Sequence, residues 1–395
     1  MFASAAVTLA CCVCLVLTAP PLAADQPALK QLREQLAQAP DATARERAIE
    51  DFVALIRKTG TPLVEDNRAT FLFRGKSGSR VFLAGDLTTW RPDQIPMQEL
   101  DQTGIYQLKL ELPRASRWEY KIVADGQWFL DPWNPQVISN GVGGENSFFT
   151  MPGYGEPPEV ADNATVPRGS IELITVPSHA LGGERTVYLY RPANIPAGAK
   201  LQSLYVQDGQ EYLARVHLPR ILDYLIAHGE IPPLIAVMIE PQDRTKEYWL
   251  NDAYLRFLTT ELVPTIDARF PTDPRPFART VVGASLGGLI AAYAAIEHPE
   301  VFGKVISQSG AFFLDHSKLV NLYRERGPSG LVVDLTVGKF EGELLESNHA
   351  LDAVLREKHI RHAYREFDGG HNWTSWRDQI GQSLRAVLTP APAGK

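Results

Sequence analysis

The stretch Gly283-Ala284-Ser285-Leu286-Gly287 fits the G-x-S-x-G pattern, with an apolar run before it and a helix-like segment, residues 288–296, after it. A sharp strand-to-helix turn lifts a serine hydroxyl clear of a sheet, and flanking glycines let the backbone pass closely. The helix start offers N–H groups and a partial positive charge to a developing oxyanion. We therefore predict that Ser285 is a nucleophile; a merely glycine-rich turn is the alternative.

A base for this serine is predicted at His371. It follows a strand-like stretch, residues 363–367, and the turn Asp368-Gly369-Gly370, and it precedes a helix-like stretch. A loop at a strand end is where an imidazole can reach a nucleophile. His371 also fits the order serine, acid, histidine of α/β-hydrolases. A surface or helix-capping histidine is the alternative.

The acid that orients this histidine has three candidates. Residues 331–337 are typical of a buried strand interrupted at Asp334, and residues 338–343 form the loop that follows. An acid at the carboxyl end of that strand is well placed to hold an imidazole. We predict that Glu341 is the orienting acid, with Glu343 and then Asp334 as alternatives. For each of the three, the competing interpretation is a carboxylate that has no partner in the site.

Periodicity divides the chain into segments. Residues 25–62 carry apolar residues at helical spacing, with Asp41 as a predicted N-cap. Short strands split by turns over residues 65–151 are typical of an antiparallel β-sandwich. A linker rich in Pro and Gly covers residues 152–170, and strands alternate with helices over residues 171–390. The predicted fold is an α/β-hydrolase, a mostly parallel sheet flanked by helices, preceded by an N-terminal β-sandwich and a short helical segment.

Several separate motifs within residues 65–388 carry a resemblance to a known family. They are Val206-Gln207-Asp208-Gly209-Gln210, Glu261-Leu262-Val263-Pro264, the serine motif, Gly338-Lys339-Phe340-Glu341 and Asp368-Gly369-Gly370-His371. With these motifs the chain resembles the enterochelin esterase and esterase D branch of the α/β-hydrolases. The resemblance implies a triad of Ser285, Glu341 and His371. It also implies an oxyanion hole in which the N–H of Leu286 acts together with that of Gly209 or Gln210.

The resemblance also implies contacts with substrate. An arginine shortly before the Glu-Leu-x-Pro stretch often contacts substrate in this family, and Arg244 matches by position. A surface salt bridge is the alternative for Arg244. Independently of the resemblance, Trp249, Trp373 and Arg377 lie in or beside loops that flank the predicted site, so they are predicted to contact an aromatic, anionic substrate. For Trp373 the alternative is packing of that loop against the hydrolase.

The predicted sandwich resembles the early-set module that occurs beside glycogen-binding modules and at the front of enterochelin esterases. Residues 83–90 and 120–132 carry this likeness. Trp90, Trp128 and Trp133 would stack on a sugar or a catechol ring if they were exposed. A place in the core of the module is the alternative for each of them.

The start of the chain predicts export. An almost continuous apolar run, residues 3–17, precedes a region of small residues, so residues 1–24 are predicted to be a cleaved signal peptide. An uncleaved anchor and a lipoprotein cysteine are the alternatives. All three cysteines, Cys11, Cys12 and Cys14, lie in this segment. A mature enzyme without it would have no disulfide and no thiolate metal site, and it is predicted to be periplasmic or secreted.

Composition narrows the class of partner. The net charge of −7, with 45% hydrophobic and 22% charged residues, is ordinary for a globular protein and argues against a general nucleic-acid surface. We predict a serine esterase that opens trilactone catecholate siderophores, with no metal or organic cofactor; any Fe(III) would arrive with the substrate. The alternatives are a carbohydrate esterase removing feruloyl or acetyl groups from xylan, and a non-catalytic binding protein on a hydrolase scaffold.

Overall fold

The computed structural model describes residues 26–327 and 330–389. The predicted signal peptide and its cysteines lie outside these residues. In the N-terminal part, helices α1 (Pro27–Gln38) and α2 (Ala42–Thr59) pack against one another. The Asp41 side chain accepts a hydrogen bond of 2.8 Å from the N–H of Ala44, which confirms the predicted N-cap of α2.

Two antiparallel sheets follow, and we call residues 63–150 the two-sheet region. One sheet has the order β1-β2-β6-β5; the other has the order β4-β3-β7-β10-β9, with β8 paired to β7. The strands are β1 (Leu63–Glu65), β2 (Arg68–Arg74), β3 (Val81–Gly85), β4 (Ile95–Pro96), β5 (Gln98–Glu99), β6 (Ile105–Glu111), β7 (Arg117–Ala124), β8 (Gln127–Phe129), β9 (Val137–Ser139) and β10 (Glu145–Thr150).

Both sheets contribute side chains to one hydrophobic core. Phe71 of β2 lies edge to face with Tyr120 of β7 and with Phe149 of β10, with ring centroids 5.1 and 5.3 Å apart. Such aromatic pairs add to the free energy gained by burying the rings themselves. Trp133 is buried, whereas 44% of Trp128 is exposed, so the three tryptophans singled out in this region do not share one environment.

The larger part of the chain, residues 170–388, is the hydrolase region. Its eight-stranded sheet has the order β11-β12-β14-β13-β15-β16-β17-β18, which is the mostly parallel sheet of an α/β-hydrolase. The antiparallel pairs of this sheet are β11 with β12 and β12 with β14. The strands are β11 (Ser170–Pro177), β12 (Glu184–Arg191), β13 (Gln202–Val206), β14 (Leu234–Ile239), β15 (Arg279–Ala284), β16 (Lys304–Gln308), β17 (Val332–Gly338) and β18 (Arg361–Phe367).

Helices cover both faces of this sheet, which is why β14 and β15 are buried along their whole length. The helices are α3 (Gly209–Ala214), α4 (Leu218–Ala227), α5 (Arg244–Tyr248), α6 (Asp252–Arg256), α7 (Val263–Arg269), α8 (Leu286–Glu297), α9 (Leu314–Arg326), α10 (Glu343–Glu357) and α11 (Trp373–Leu388), with a π-helical stretch at Phe257–Leu262. Across residues 26–327 and 330–389, no helix has the length and apolar character needed to cross a membrane.

Candidate active site

Ser285 occupies a strained turn between β15 and α8. Its backbone has φ 58° and ψ −121°, a conformation that costs a non-glycine residue about 1–3 kcal/mol. A hydrogen bond helps to hold the turn in this conformation: the N–H of Ser285 donates to the carbonyl oxygen of Gln308 at 2.9 Å. A Cβ atom at Gly283 would overlap the carbonyl group of Gly287, so the first glycine of the motif is required by close approach of the backbone. The turn leaves Ser285 half-buried at the carboxyl end of the parallel strands.

The side chains of Ser285, His371 and Glu341 form one chain of hydrogen bonds. His371 Nε2 lies 2.9 Å from Ser285 Oγ, and His371 Nδ1 lies 2.7 Å from Glu341 Oε2. A carboxylate can only accept, so it selects the tautomer with the proton on Nδ1 and leaves Nε2 to accept the serine proton. His371 is partly exposed while the Glu341 side chain is fully buried. The geometry is that of a nucleophile, a base and an orienting acid.

Glu341 is itself fixed by its surroundings. Its Oε1 accepts from Ser309 Oγ at 2.8 Å and from the N–H of Gly338 at 2.7 Å. Trp376 Nε1 donates to the same Ser309 Oγ at 2.9 Å, and the Trp376 ring lies edge to face against His371. Both carboxylate oxygens therefore have partners, and the carboxylate is held in one orientation.

The two alternative acids lie elsewhere. Asp334 is fully buried within β17, and its Oδ2 accepts from Arg365 Nη2 at 2.7 Å. Glu343 is exposed at the first position of α10. Of the three candidate carboxylates, Glu341 is the one that is hydrogen-bonded to His371.

The backbone N–H groups that are predicted to bind the oxyanion differ in whether they already have a hydrogen-bond partner. Leu286 is the first residue of α8, where helix geometry gives its N–H no partner within the helix. Gly209 begins α3, next to Asp208, and a Cβ atom on Gly287 would lie 3.0 Å from Asp208 Oδ2, so this loop rests on the start of α8. The N–H of Gln210 instead donates to Glu240 Oε2 at 2.9 Å. Because the N–H of Gln210 already has a partner, Gly209 is favoured of the two alternatives, and Leu286 and Gly209 remain the predicted pair.

A family model for esterases, described as "Putative esterase", matches residues 178–387, the segment that contains this site. The chain belongs to this esterase family. The iron(III) enterobactin esterase of Escherichia coli O6:H1 is 29% identical to the esterase over an alignment of 275 positions, and the match covers 67% of this chain and 68% of the relative. An endo-1,4-beta-xylanase/feruloyl esterase of Xylanibacter ruminicola is 28% identical over an alignment of 150 positions, and the match covers 34% of this chain and 21% of the relative.

Among solved structures, the esterase is similar to the enterobactin esterase of Shigella flexneri, crystallised in the presence of enterobactin. The TM-score is 0.67 at 26% identity, and the match covers 81% of this chain and 92% of the other. The similarity therefore extends well beyond the hydrolase region.

A cleft of about 310 Å³ opens beside His371, and both the two-sheet region and the hydrolase region of the esterase line it. Its lining residues are Asp86, Thr89, Trp90, Arg91, Phe313, Phe340, Glu341, Gly342, Glu343, Leu344 and His371. Arg91 is the cationic side chain of this lining, and among the described residues it has no ion pair. A larger cleft, of about 500 Å³, includes Gln210 and His217 but no member of the hydrogen-bonded triad.

Arg244 lies beside the serine turn, in an ion pair. Its Nε and Nη2 donate to the two oxygens of the buried Asp208 carboxylate at 2.7 and 2.9 Å, and Nη2 also lies 3.2 Å from the carbonyl oxygen of Ala284. Burial raises the pKa of Asp208, and the Arg244 guanidinium opposes that rise. Arg244 therefore forms a salt bridge, which was the alternative to a substrate contact. The salt bridge is not a surface one, because its carboxylate partner Asp208 is buried.

Trp373 and Arg377 make contacts away from the cleft lining. Trp373 packs edge to face against Trp376 and Tyr212, with ring centroids 4.8 and 5.7 Å apart. Arg377 pairs with Glu156 at 2.6 Å and with Asp378 at 2.9 Å. Through these contacts Trp373 and Arg377 pack the histidine loop and the start of α11. For Trp373, packing of this loop was the alternative to a substrate contact.

Three residues that bear on the site escaped sequence reasoning: Ser309, Asp86 and Arg91. Ser309 carried a usable signal, since a polar residue directly after a buried parallel strand lies at the edge of the sheet where Ser285 lies. Asp86 and Arg91 belong to the two-sheet region, and no local pattern places them at a site in the hydrolase region. Trp90, considered from the sequence as a stacking residue, lies in the cleft lining with them.

Proposed function

We propose that this esterase is a serine esterase of the enterochelin type, which hydrolyses the ester bonds of trilactone catecholate siderophores and so releases their iron. The observation that carries the serine mechanism is the hydrogen-bonded chain from Ser285 Oγ through His371 to Glu341. The mechanism needs no cofactor, and the Fe(III) ion belongs to the substrate.

The first half of the proposed reaction is acylation. His371 Nε2 takes the proton of Ser285 as Oγ forms a bond to the ester carbonyl carbon, and the carbonyl oxygen becomes an oxyanion. The N–H groups of Leu286 and Gly209 are the proposed donors to that oxyanion. The buried carboxylate of Glu341 stabilises the imidazolium that forms. Collapse of the tetrahedral intermediate breaks the bond to the leaving alcohol, which receives the proton from His371.

The second half is hydrolysis of the acyl-enzyme. Water attacks the acyl carbonyl while His371 Nε2 removes its proton, and a second tetrahedral intermediate forms in the same oxyanion hole. Its collapse releases the carboxylic acid and returns the proton to Ser285 Oγ. Each turnover therefore consumes one water and leaves the triad as it began.

The aromatic side chains and the arginine of the cleft lining support an aromatic and anionic substrate, whereas Glu343 adds an exposed carboxylate to the same lining. A ferric tris-catecholate has flat rings and a net negative charge. Trp90, Phe313 and Phe340 supply aromatic faces beside His371, and Arg91 supplies a cation without an ion-pair partner among the described residues. The named activity of the Escherichia coli relative supports the same substrate class.

A carbohydrate esterase is the second candidate. It would use the same serine, histidine and acid, and the feruloyl esterase relative favours it. Trp128 also favours it, because this ring is 44% exposed and stacks 6.5 Å from Trp90, so the cleft continues onto an open aromatic surface suited to a sugar.

A hydrolysis panel separates these candidates. Ferric enterobactin, methyl ferulate and acetylated xylan are each incubated with the wild-type enzyme and with Ser285→Ala, and acid release is followed by chromatography. The proposed function requires the highest kcat/KM on ferric enterobactin, with loss of turnover in the variant. A preference for methyl ferulate or acetylated xylan supports the carbohydrate esterase. No hydrolysis of any ester supports a binding protein on a hydrolase scaffold.

We further propose that the enzyme is exported to the periplasm or secreted, on the strength of the apolar run at residues 3–17 and the small residues before residue 25. Mass spectrometry of the mature protein from the cell envelope tests this directly. Cleavage near residue 24 is expected, and an intact N-terminus on a membrane-bound protein would indicate a retained anchor.

A further inference from the structure

A buried carboxyl group of the two-sheet region contacts the histidine loop. Asp86 begins a short 3₁₀ turn after β3 and is 1% exposed. Its Oδ2 accepts from the N–H of Glu119 at 2.8 Å and from Asn372 Nδ2 at 3.0 Å. Glu119 belongs to β7, and Asn372 directly follows His371. A single oxygen therefore links the two-sheet region to the residue beside the base.

The residue on the other side of His371 also packs on Asp86. A Cβ atom at Gly370 would lie 2.6 Å from Asp86 Cγ, so the backbone of Gly370 lies directly against the carboxyl group. Asn372 is fixed in turn, because its Oδ1 accepts from the N–H of Ser375 at 2.8 Å and so caps α11. His371 is thus held between two residues that both contact Asp86.

The acid loop rests on the same region. Phe340, directly before Glu341, lies edge to face against Trp118 at 4.8 Å and packs on the hydrophobic core that the two sheets share. Trp118 is 1% exposed, so this contact is an extension of the core. Two of the three triad residues are therefore preceded by a residue that packs on the two-sheet region.

We propose that Asp86 is a positioning residue of the esterase, which holds the His371 loop in its productive orientation through Asn372 and Gly370. The two-sheet region then serves catalysis as well as any binding of ligand. The inference rests on the proposed function, since it needs His371 to act as the base. Asp86 forms no contact with the reacting atoms and acts through the loop.

The protonation state of Asp86 fits this role. Burial, together with the negative charge of Glu119, raises the pKa of Asp86 to about 8. Glu119 accepts hydrogen bonds from Arg117 and Asn146 at 2.9 Å each. A neutral Asp86 still accepts both bonds on one oxygen. Asparagine keeps such an oxygen and is therefore the conservative replacement.

The test compares Asp86→Ala, Asp86→Asn and Asp131→Ala. Asp131 is the matched control: it is also buried in the two-sheet region, and its Oδ2 accepts from Tyr120 of that region at 2.7 Å and from Thr61, just before the region, at 2.6 Å. The values of kcat and KM are measured on ferric enterobactin and on methyl ferulate, and the melting temperature is measured in parallel. Mispositioning of a base by about 1 Å costs about 100-fold.

For Asp86→Ala we expect kcat to fall by about 10- to 100-fold while KM stays within about two-fold, since the loss concerns orientation of the base. Asp86→Asn should keep most of the wild-type kcat, and Asp131→Ala should lower the melting temperature without this loss of kcat. Asn372→Ala should lower kcat as Asp86→Ala does, and the double variant should lose little more than either single variant.

Three results would overturn the proposal: a folded Asp86→Ala enzyme with near-normal kcat, an equal loss of kcat in Asp131→Ala, or a loss in Asp86→Asn as large as in Asp86→Ala. Each leaves the proposed function intact provided that the wild type hydrolyses ferric enterobactin and Ser285→Ala does not. Failure of the wild type to hydrolyse any ester would instead remove the proposed function and this inference together.

Discussion

Arg244 and Asp208 form a two-point ion pair beside the serine turn, with Nε–Oδ1 and Nη2–Oδ2 distances of 2.7 and 2.9 Å. Asp208 precedes Gly209, one proposed oxyanion donor, and Arg244 also contacts the carbonyl oxygen of Ala284, which precedes Ser285. The guanidinium therefore connects the two loops whose relative position sets the oxyanion hole. Its effect on the reaction should be independent of the charge of the substrate.

Arg244→Ala should accordingly impair hydrolysis of neutral and anionic esters to the same degree, by about 10- to 100-fold in kcat/KM. It also leaves a buried carboxylate without its partner. Breaking a buried pair costs about 3–5 kcal/mol, and we expect the lower end because Arg244 is 36% exposed. Denaturant unfolding and kinetics on methyl ferulate and ferric enterobactin measure both effects.

A control for Arg244→Ala is the double variant with Asp208→Asn. Removing the orphaned charge should restore part of the lost stability. A selective loss on ferric enterobactin, with methyl ferulate spared, would instead mean that Arg244 contacts the substrate charge directly.

Arg91→Ala should selectively impair hydrolysis of the anionic substrate, ferric enterobactin. Arg91 lies in the cleft lining without an ion-pair partner among the described residues. Hydrogen bonds to charged groups contribute about 1.5–3 kcal/mol, so ferric enterobactin hydrolysis should weaken by about ten-fold or more while methyl ferulate is spared. Arg256→Ala, an exposed arginine on α6 outside this lining, is the matched control. Equal kcat/KM of Arg91→Ala and wild type on both substrates would exclude this contact.

Glu341→Gln should lower kcat strongly with little change in KM, because the amide keeps the size of the side chain and loses the charge that stabilises the imidazolium. Glu343→Gln and Asp334→Asn serve as controls, and both should retain turnover. If either control were the damaging change and Glu341→Gln were mild, the acid would lie elsewhere on this strand and loop.

The stability of the enzyme should depend on pH through Asp86. In the folded state its pKa is about 8, raised by burial and by Glu119 and opposed by Arg117 and Asn372, whereas an unfolded Asp titrates at about 3.9. The folded state therefore keeps a proton that the unfolded state has released, and this group's contribution to stability is lost as pH rises from about 4 to about 8.

Asp86→Asn lacks this titration. Its free energy of unfolding relative to wild type should therefore increase with pH between pH 5 and pH 8, by at most about 1.4 kcal/mol per pH unit, and level off above that range. Urea unfolding of both proteins at several pH values measures the difference. A difference that is constant with pH would mean that Asp86 is already ionised in the folded protein.

Local pattern was sufficient to find the elements that meet at the site. Ser285 and His371 each follow a strand of the parallel sheet, and parallel strands bring their carboxyl ends to one edge, so short motifs far apart in the chain converge. Glu341 and Glu343 both lie in the loop predicted after β17, so position in that loop could not separate them, and the family resemblance implied Glu341. The structure separates them by one hydrogen bond to His371.

Contacts that depend on tertiary packing could not be read from the sequence. Asp86 and Asn372 are 286 residues apart, and their contact requires the two-sheet region to pack on the histidine loop. The N–H of Gln210 fits the oxyanion pattern in sequence, yet Glu240, from the end of the neighbouring strand, takes it. Arg244 matched by position, and its partner Asp208 comes from another loop.

The proposed serine mechanism is tested most directly by the kcat/KM of Ser285→Ala and of His371→Ala on ferric enterobactin and methyl ferulate, with the fold checked by circular dichroism. Ser285→Ala should leave only a residual rate, about 10³-fold above that in water, and His371→Ala should be nearly as damaging because triad members act as a unit. Near-normal turnover by either folded variant would contradict the proposed mechanism.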